Sequence, residues 1–287
     1  MSVVVEDERN ADLKRGRRIR ALMIVSAFVY VGVLLLGPLA GIGYSALKEG
    51  LGSVFRTLTQ PDVIHAFYLT LIITLITVGI TAFFGVVVAL VLARDDFPGK
   101  RLVSALVDLP LAVSPVIVGL MAVLLFGRGG WFEPFFTARG IQIIYAVPAM
   151  VLVTIFVVIP FVTREVAPVL EELGTEEEQA AWTLGASRLQ AFFRVTLPNI
   201  RWGLLYGIAL STARAIGEIG AIIIVSGAIQ GKTETATLYI LRVFDQARTP
   251  ADATPGYVVA LCLALVSILT LVAIEISKHR RFKEAES

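Results

Sequence analysis

Long apolar runs alternate with short polar segments along this chain, and the pattern predicts membrane-spanning helices. A helix needs about 20 apolar residues to cross a bilayer, and backbone groups in lipid must pair within their own segment. Asp108 interrupts one of the runs, and Arg214 and Glu218 interrupt another. The pattern therefore predicts an all-α integral membrane protein with six transmembrane helices, at 21–47, 66–93, 102–126, 141–163, 203–227 and 254–276.

Composition agrees with this class. Hydrophobic residues make up 56% of the 287 residues and charged residues only 17%, against about a quarter in soluble domains. The first run follows a basic stretch, residues 1–20, as the apolar core of a signal peptide would. That core is about 7–15 residues long, so the longer run 21–47 is interpreted as a permanent, peripheral first span.

The distribution of basic residues predicts the orientation. Six spans place both termini on one side, which carries 17 Lys and Arg against seven on the other. Basic residues favour the cytoplasmic side, so the tails 1–20 and 277–287 and the loop 164–201 are predicted to be cytoplasmic. Anionic lipid attracts such flanking charges, and the net charge of +2 gives no indication of nucleic-acid binding.

A polar stretch at 175–198, called here the polar island, has strong helix-end signals. Thr175 with Glu178 fits a capping box, and Ser187 with Gln190 fits a second one. Gly185 can adopt the left-handed conformation that ends a helix, and Pro198 is expected to stop the second helix. The polar island is therefore predicted to be two short helices that meet at Gly185.

The second helix of the polar island carries an apolar stripe that needs cover, formed by Leu189, Phe192, Phe193 and Leu197. The protein's own cytoplasmic ends or a partner could cover it. A solvated connector between spans is the plainer interpretation of the polar island.

The polar island resembles the EAA-xxx-G-x9-I-x-LP signature of ABC importer permeases. The matching positions are Gln179, Ala180, Ala181, Gly185, Val195, Leu197 and Pro198. Gln179 replaces the usual Glu, which stands one position earlier as Glu178, and Val195 replaces Ile. In that family the loop forms a coupling helix in a groove of the ATPase subunit. The resemblance implies contact with the ATPase through Glu178, Gln179, Ala180, Ala181, Gly185, Ala186, Ser187, Leu189 and Pro198.

Charged and proline-flanked residues inside the spans are candidates for a pathway or gate. Arg214 and Glu218 are four residues apart, so they can pair on one helix face. Asp108 and Ser114 lie beside prolines that can break a helix where a transporter lines a cavity. A structural ion pair and a simple kink are the alternatives. Since pairing would neutralise Arg214, we expect no tight oxyanion site within these spans.

Several stretches are similar to the sulfate/thiosulfate permease subunits of bacterial ABC importers, and more so to the second of the two paired permeases. They are VDLPLAVSPVIVGL, VLVTIFVVIPFVTREVAPVL, RVTLPNIRWGLLYG and ARAIGEIGAIIIVSG. The resemblance implies a type I permease fold over residues 65–276. Molybdate permeases share a Gly-Glu-aromatic-Gly pattern, which here reads Gly217-Glu218-Ile219-Gly220, so molybdate or tungstate is the alternative substrate.

The resemblance also implies partners and a location. They are a pair of ATPase subunits that use ATP and Mg, a second permease subunit, an extracytoplasmic sulfate-binding protein and the lipid of a bacterial inner membrane. The chain itself has no Walker A sequence, and neither a catalytic nor a metal-binding set is evident around Cys262, His65 and His279. We therefore expect a non-enzymatic subunit without a cofactor. A secondary carrier driven by an ion gradient is the rival class.

Overall fold

The computed structural model describes the backbone of residues 2–285 and the side chains of residues 20–272. Most side chains of the predicted tails 1–20 and 277–287 lie outside the described residues. The described residues form helices joined by turns and loops, with no strand among them. Its helices are α1 Ser2–Leu47, α2 Leu51–Leu58, α3 Pro61–Arg94, α4 Lys100–Ala112, α5 Pro115–Phe126, α6 Glu133–Thr137, α7 Val147–Leu173, α8 Glu176–Thr183, α9 Arg188–Ala191, α10 Leu197–Ile216, α11 Gly220–Ser226, α12 Ala236–Gln246 and α13 Thr254–Ala285.

Four helical segments within the described part are long and apolar enough to cross a membrane: Arg20–Leu47, Pro61–Arg94, Val147–Leu173 and Thr254–Val272. Two further candidates are bent pairs. The helix α4 meets α5 at 111°, and the helix Arg188–Ile216 meets α11 at 54°. Counting each pair as one span gives six, and the predicted all-α membrane fold is confirmed.

Two helix boundaries differ from the apolar runs for a physical reason. The helix α7 covers Val147–Leu173 where the apolar run is 141–163. Hydropathy marks the part of a chain that can contact lipid, whereas helical hydrogen bonding continues into water as long as no residue interrupts it. The α4–α5 break likewise falls at Val113 and Ser114, which are extended before Pro115, while Pro110 stays inside α4.

Close packing of α3, α7 and α10 forms the centre of the bundle. A β-carbon added at Gly85 would lie 2.7 Å from Val162, and one at Gly207 would lie 2.8 Å from the Cα of Val162. A β-carbon at Gly203 would lie 2.7 Å from the carbonyl oxygen of Glu165. These distances are far below ordinary contact, so only glycine allows the three backbones to approach this closely.

The helix α1 lies at the edge of the bundle, and its most extensive contacts are with α13. None of the most apolar stretch of Arg20–Leu47 is buried within the chain. Exposed side chains such as Phe28 and Leu35, at 76% and 67% exposure, form an apolar surface that suits lipid.

The segment after α11 folds back onto the bundle. It contains α12, which packs against α13 and α3. Leu238 and Tyr239 are buried. Glu234, only 1% exposed, accepts two hydrogen bonds from Arg242, at 2.6 and 3.0 Å, so its buried charge is paired.

Candidate functional site

The polar island has the predicted turn at Gly185. The helix α8 ends there with Gly185 at a φ of 87°. Its N–H donates to the carbonyl of Trp182 at 3.0 Å, and the N–H of Ala186 donates to that of Ala181 at 3.0 Å. These two bonds form a Schellman motif, so the angle between α8 and α9 is set by local hydrogen bonds.

Only the second predicted capping box is present. The Ser187 hydroxyl accepts the Gln190 N–H at 3.3 Å, and the Gln190 side chain accepts the Ser187 N–H at 2.9 Å. The prediction of a capping box at Thr175 and Glu178 was wrong. The Thr175 hydroxyl instead accepts from the side chain of Gln179 at 2.9 Å, because Glu178 is turned toward two partners outside α8.

The prediction that the second helix of the polar island stops at Pro198 was wrong. A π-helical segment, Phe192–Thr196, joins α9 to α10, and Pro198 lies in the first turn of α10. In this π register the N–H of Leu197 donates to the carbonyl of Phe192. The changed register next to Pro198 accommodates a residue that has no N–H to donate. The polar island is therefore continuous with a membrane helix.

The apolar stripe of the polar island is only half covered. Phe192 and Leu197 pack against the cluster of Val86, Val162 and Ile200. Leu189 and Phe193 remain 71% and 60% exposed, and Leu184 beside the turn is 89% exposed. These three exposed apolar side chains, called here the apolar patch, lie on a segment whose backbone is fixed by its own caps. The predicted positions Gln179, Ala180, Gly185, Ser187 and Pro198 are exposed as well, while Glu178, Ala181 and Ala186 are half-buried.

Glu178 joins α8 to the bundle. Its Oε1 atom accepts from Arg94 at 3.1 Å and from Thr196 at 2.9 Å. Arg94 also donates to the carbonyl of Leu170 at 2.9 Å. Sequence analysis missed Arg94 and Thr196, because Arg94 is 84 residues away and no local pattern links the two positions.

The two breaks in the bent helix pairs meet in space. A β-carbon at Gly220, the first residue of α11, would lie 3.1 Å from Cβ of Pro115, the first residue of α5. A β-carbon at Gly119 would lie 2.7 Å from the carbonyl oxygen of Ala221. Two predicted pathway residues flank this helix-break junction: Ser114 directly before α5 and Glu218 two residues before α11. Interrupted helices at membrane depth occur where a chain lines a cavity or is buried in protein.

Arg214 and Glu218 form an ion pair at the helix-break junction. Nη1 of Arg214 lies 2.5 Å from Oε2 of Glu218, but the geometry of the contact is not that of a hydrogen bond. The two residues are not on one continuous helix, because α10 ends at Ile216. The Glu218 carboxylate, fully buried, also accepts the N–H of Ala221 at 2.8 Å. It thus caps α11 and pairs with the charge of Arg214.

Asp108 has a different partner. Its carboxylate accepts from Nε of Arg164 on α7 at 2.7 Å, and both side chains are partly exposed. Asp108 therefore links α4 to α7 and is not part of the ion pair of Arg214 and Glu218. No group of three or more His, Cys, Asp or Glu that could hold a metal occurs among the residues whose side chains are described.

Comparison with known proteins gives a family match over most of the chain. The family described as "Binding-protein-dependent transport system inner membrane component" matches residues 83–283. This range includes the whole polar island and both bent helix pairs.

Individual relatives extend the similarity. The chain is 45% identical over 269 residues to the sulfate transport system permease protein CysW of Synechocystis sp., covering 94% of this chain and 96% of that one. It is 45% identical over 249 residues to the protein of that name from Escherichia coli (strain K12), covering 87% and 82%. A solved bacterial alginate ABC transporter, in complex with an alginate pentasaccharide-bound periplasmic protein, contains a chain with a TM-score of 0.75 at 18% identity. Coverage there is 94% of this chain and 96% of the solved one, so the fold is shared.

Proposed function

This chain belongs to the family of binding-protein-dependent transport system inner membrane components, and we propose that it is the sulfate/thiosulfate permease subunit of an ABC importer. The observation that carries the proposal is 45% identity, over nearly the full length, to a sulfate transport permease. Discrimination among oxyanions is assigned to the binding protein, because Arg214 at the helix-break junction is already paired with Glu218.

We assign the polar island to contact with the ATPase. The apolar patch of Leu184, Leu189 and Phe193 is exposed although it lies on a polar segment, and a partner surface that buried it would gain roughly 25 cal/mol per Å² of apolar area. The backbone of the patch is held by the Schellman motif at Gly185 and the capping box at Ser187. A segment fixed in this way can transmit a push without losing its shape.

The proposed cycle follows from these two sites. ATP binding closes a pair of ATPase subunits and displaces the polar island. Because α10 is continuous with the polar island, α10 carries that displacement toward the helix-break junction. A central cavity then opens outward to receive the anion from an external binding protein, and ATP hydrolysis returns the cavity to its inward-facing state. ATP drives this change only through its different affinity for the two states.

The remaining assignments complete the assembly. A second permease subunit faces this one across the cavity, both termini are cytoplasmic, and the location is a bacterial inner membrane in contact with lipid. ATP and Mg act in the partner ATPase, and this chain is a non-catalytic subunit without a cofactor of its own.

The test is sulfate uptake into proteoliposomes that contain this chain with its co-expressed ATPase, second permease and binding protein. The variant is Gly185→Pro, because proline fixes φ near −65° and Gly185 requires 87°. The matched control is Gly50→Pro, which faces the same conflict at a φ of 84° but lies outside the polar island.

The expected result is ATP-dependent sulfate uptake that is lost in Gly185→Pro and kept in Gly50→Pro. Uptake that requires an ion gradient and no nucleotide would instead establish the secondary carrier. ATP-driven uptake of molybdate but not sulfate would retain the importer and change its substrate.

A further inference from the structure

Arg94 is the last residue of α3, and it contacts two other elements at once. Nη1 donates to the carbonyl of Leu170 near the end of α7, at 2.9 Å. Nη2 donates to the Glu178 carboxylate of α8, at 3.1 Å, and Thr196 of the π segment donates to the same oxygen at 2.9 Å. Arg94 and Glu178 together therefore join α8 to the ends of α3 and α7 and to the π segment that precedes α10.

The pair is shielded from water, unlike a usual surface ion pair. The side chains of Arg94 and Glu178 are only 15% and 13% exposed. In the neighbouring cytoplasmic loop the pair of Lys100 and Asp96 is 35% and 99% exposed. Exposed pairs are screened by salt and contribute little, whereas loss of one partner of a shielded pair leaves an uncompensated charge. Arg94 also places positive charge at the carboxyl ends of two helices, where the helix dipole favours it.

The attachment matters because little else holds α8. No residue of α8 is buried, and its other polar link outside the polar island's own turn is an exposed contact between Glu177 and Asn199. In contrast, α3, α7 and α10 approach so closely at Gly85, Gly203 and Gly207 that they leave no space for local adjustment. A displacement of Glu178 is therefore passed to a packed unit of three helices.

We propose that Arg94 is a positioning residue for energy coupling, which through Glu178 transmits movement of α8 to the packed helices α3, α7 and α10. This inference rests on the proposed function. It goes beyond contact with the ATPase, because it concerns how this chain passes on the movement after that contact is made.

The primary variant is Glu178→Gln, which keeps an oxygen that can accept from Arg94 and Thr196 but removes the charge. The second is Arg94→Gln, which removes the guanidinium fork that bridges two acceptors, together with its charge. The double variant Arg94→Gln/Glu178→Gln removes both charges. The control is Asp96→Asn, which breaks the exposed loop pair on the same side of the molecule.

The measurement is the amount of sulfate imported per ATP hydrolysed by the complete reconstituted transporter, normalised to the amount of ATPase that co-purifies. We expect the ratio to fall in both single variants, with ATPase recovery maintained, and to stay at the wild-type value in Asp96→Asn. The double variant should be no worse than the worse single variant, because each single change already disrupts the ion pair between Arg94 and Glu178.

Two results would overturn the inference alone, provided that the wild type imports sulfate with ATP. One is an unchanged ratio, with uptake and hydrolysis falling together in proportion to lost assembly, as a purely structural pair would give. The other is a double variant whose loss is the product of the two single losses. A wild type without ATP-driven uptake would overturn the proposed function, and this inference with it.

Discussion

Substitution of Gly207 by alanine tests the close contact of α10 with α7. The added β-carbon would lie 2.8 Å from Cα of Val162 and 3.4 Å from the carbonyl oxygen of Phe161. Carbon atoms in contact normally stand about 3.5–4.0 Å apart. The two helices must therefore separate by roughly 0.7–1.2 Å near this point, and backbone atoms have no flexible end that could move instead.

The magnitude follows from comparison with a second glycine. Gly79 on α3 is also helical, and a β-carbon there would meet nothing within 4 Å. Both substitutions gain about 1 kcal/mol of helix propensity, so this term cancels in the difference between the variants. What remains is the overpacking cost of about 1–3 kcal/mol. By the size scaling of soluble domains, this corresponds to about 2–12 °C in melting temperature.

The assay is thermal unfolding of the purified chain in detergent, followed by circular dichroism for the wild type, Gly207→Ala and Gly79→Ala. Gly79→Ala is expected to melt at or slightly above the wild-type temperature, and Gly207→Ala below Gly79→Ala by the stated interval. Equal melting temperatures for the two variants would show that α7 and α10 have room to adjust. The rigidity on which the role of Arg94 depends would then be refuted.

Three further predictions address the two sites. Glu218→Gln should lower the free energy of unfolding by an amount near the lower end of the about 3–5 kcal/mol typical of a broken buried pair, since Arg214 is 33% exposed. Asp108→Asn should lower it by at most about 1 kcal/mol. Equal melting temperatures for the two variants would contradict this prediction. Leu189→Ser should reduce co-purification of the ATPase without lowering the melting temperature, whereas Leu102→Ser, at a similarly exposed leucine of α4, should leave recovery unchanged. The chain and its paired permease should show no tight equilibrium binding of labelled sulfate without the binding protein, because Glu218 neutralises Arg214; tight binding would contradict that reasoning.

Local features of the polar island were the most predictable part of the site. The Schellman motif at Gly185 and the capping box of Ser187 and Gln190 depend on residues within a few positions of one another. A glycine that alone tolerates a φ of 87° can be recognised without any knowledge of the rest of the fold.

The wrong predictions share a cause. Thr175 and Glu178 have the spacing of a capping box, but an arginine at the end of α3 offers Glu178 a charge-assisted bond, and the helix start cannot compete with it. Pro198 has the chemistry of a helix stop, but a π segment before it changes the hydrogen-bond register. In both cases a non-local or register effect outweighs a valid local preference.

The sequence by itself determined that this protein is a bundle of membrane helices, because each apolar run must satisfy its backbone within its own segment wherever water is absent. It also determined the turn of the polar island, which is stabilised by neighbouring residues. Only the tertiary structure decided that Arg94 pairs with Glu178, that the breaks at Ser114 and Glu218 meet, and that α7 and α10 touch at Gly207. These contacts join residues far apart in sequence, and their energies depend on packing and exclusion of water, which exist only once the helices are assembled.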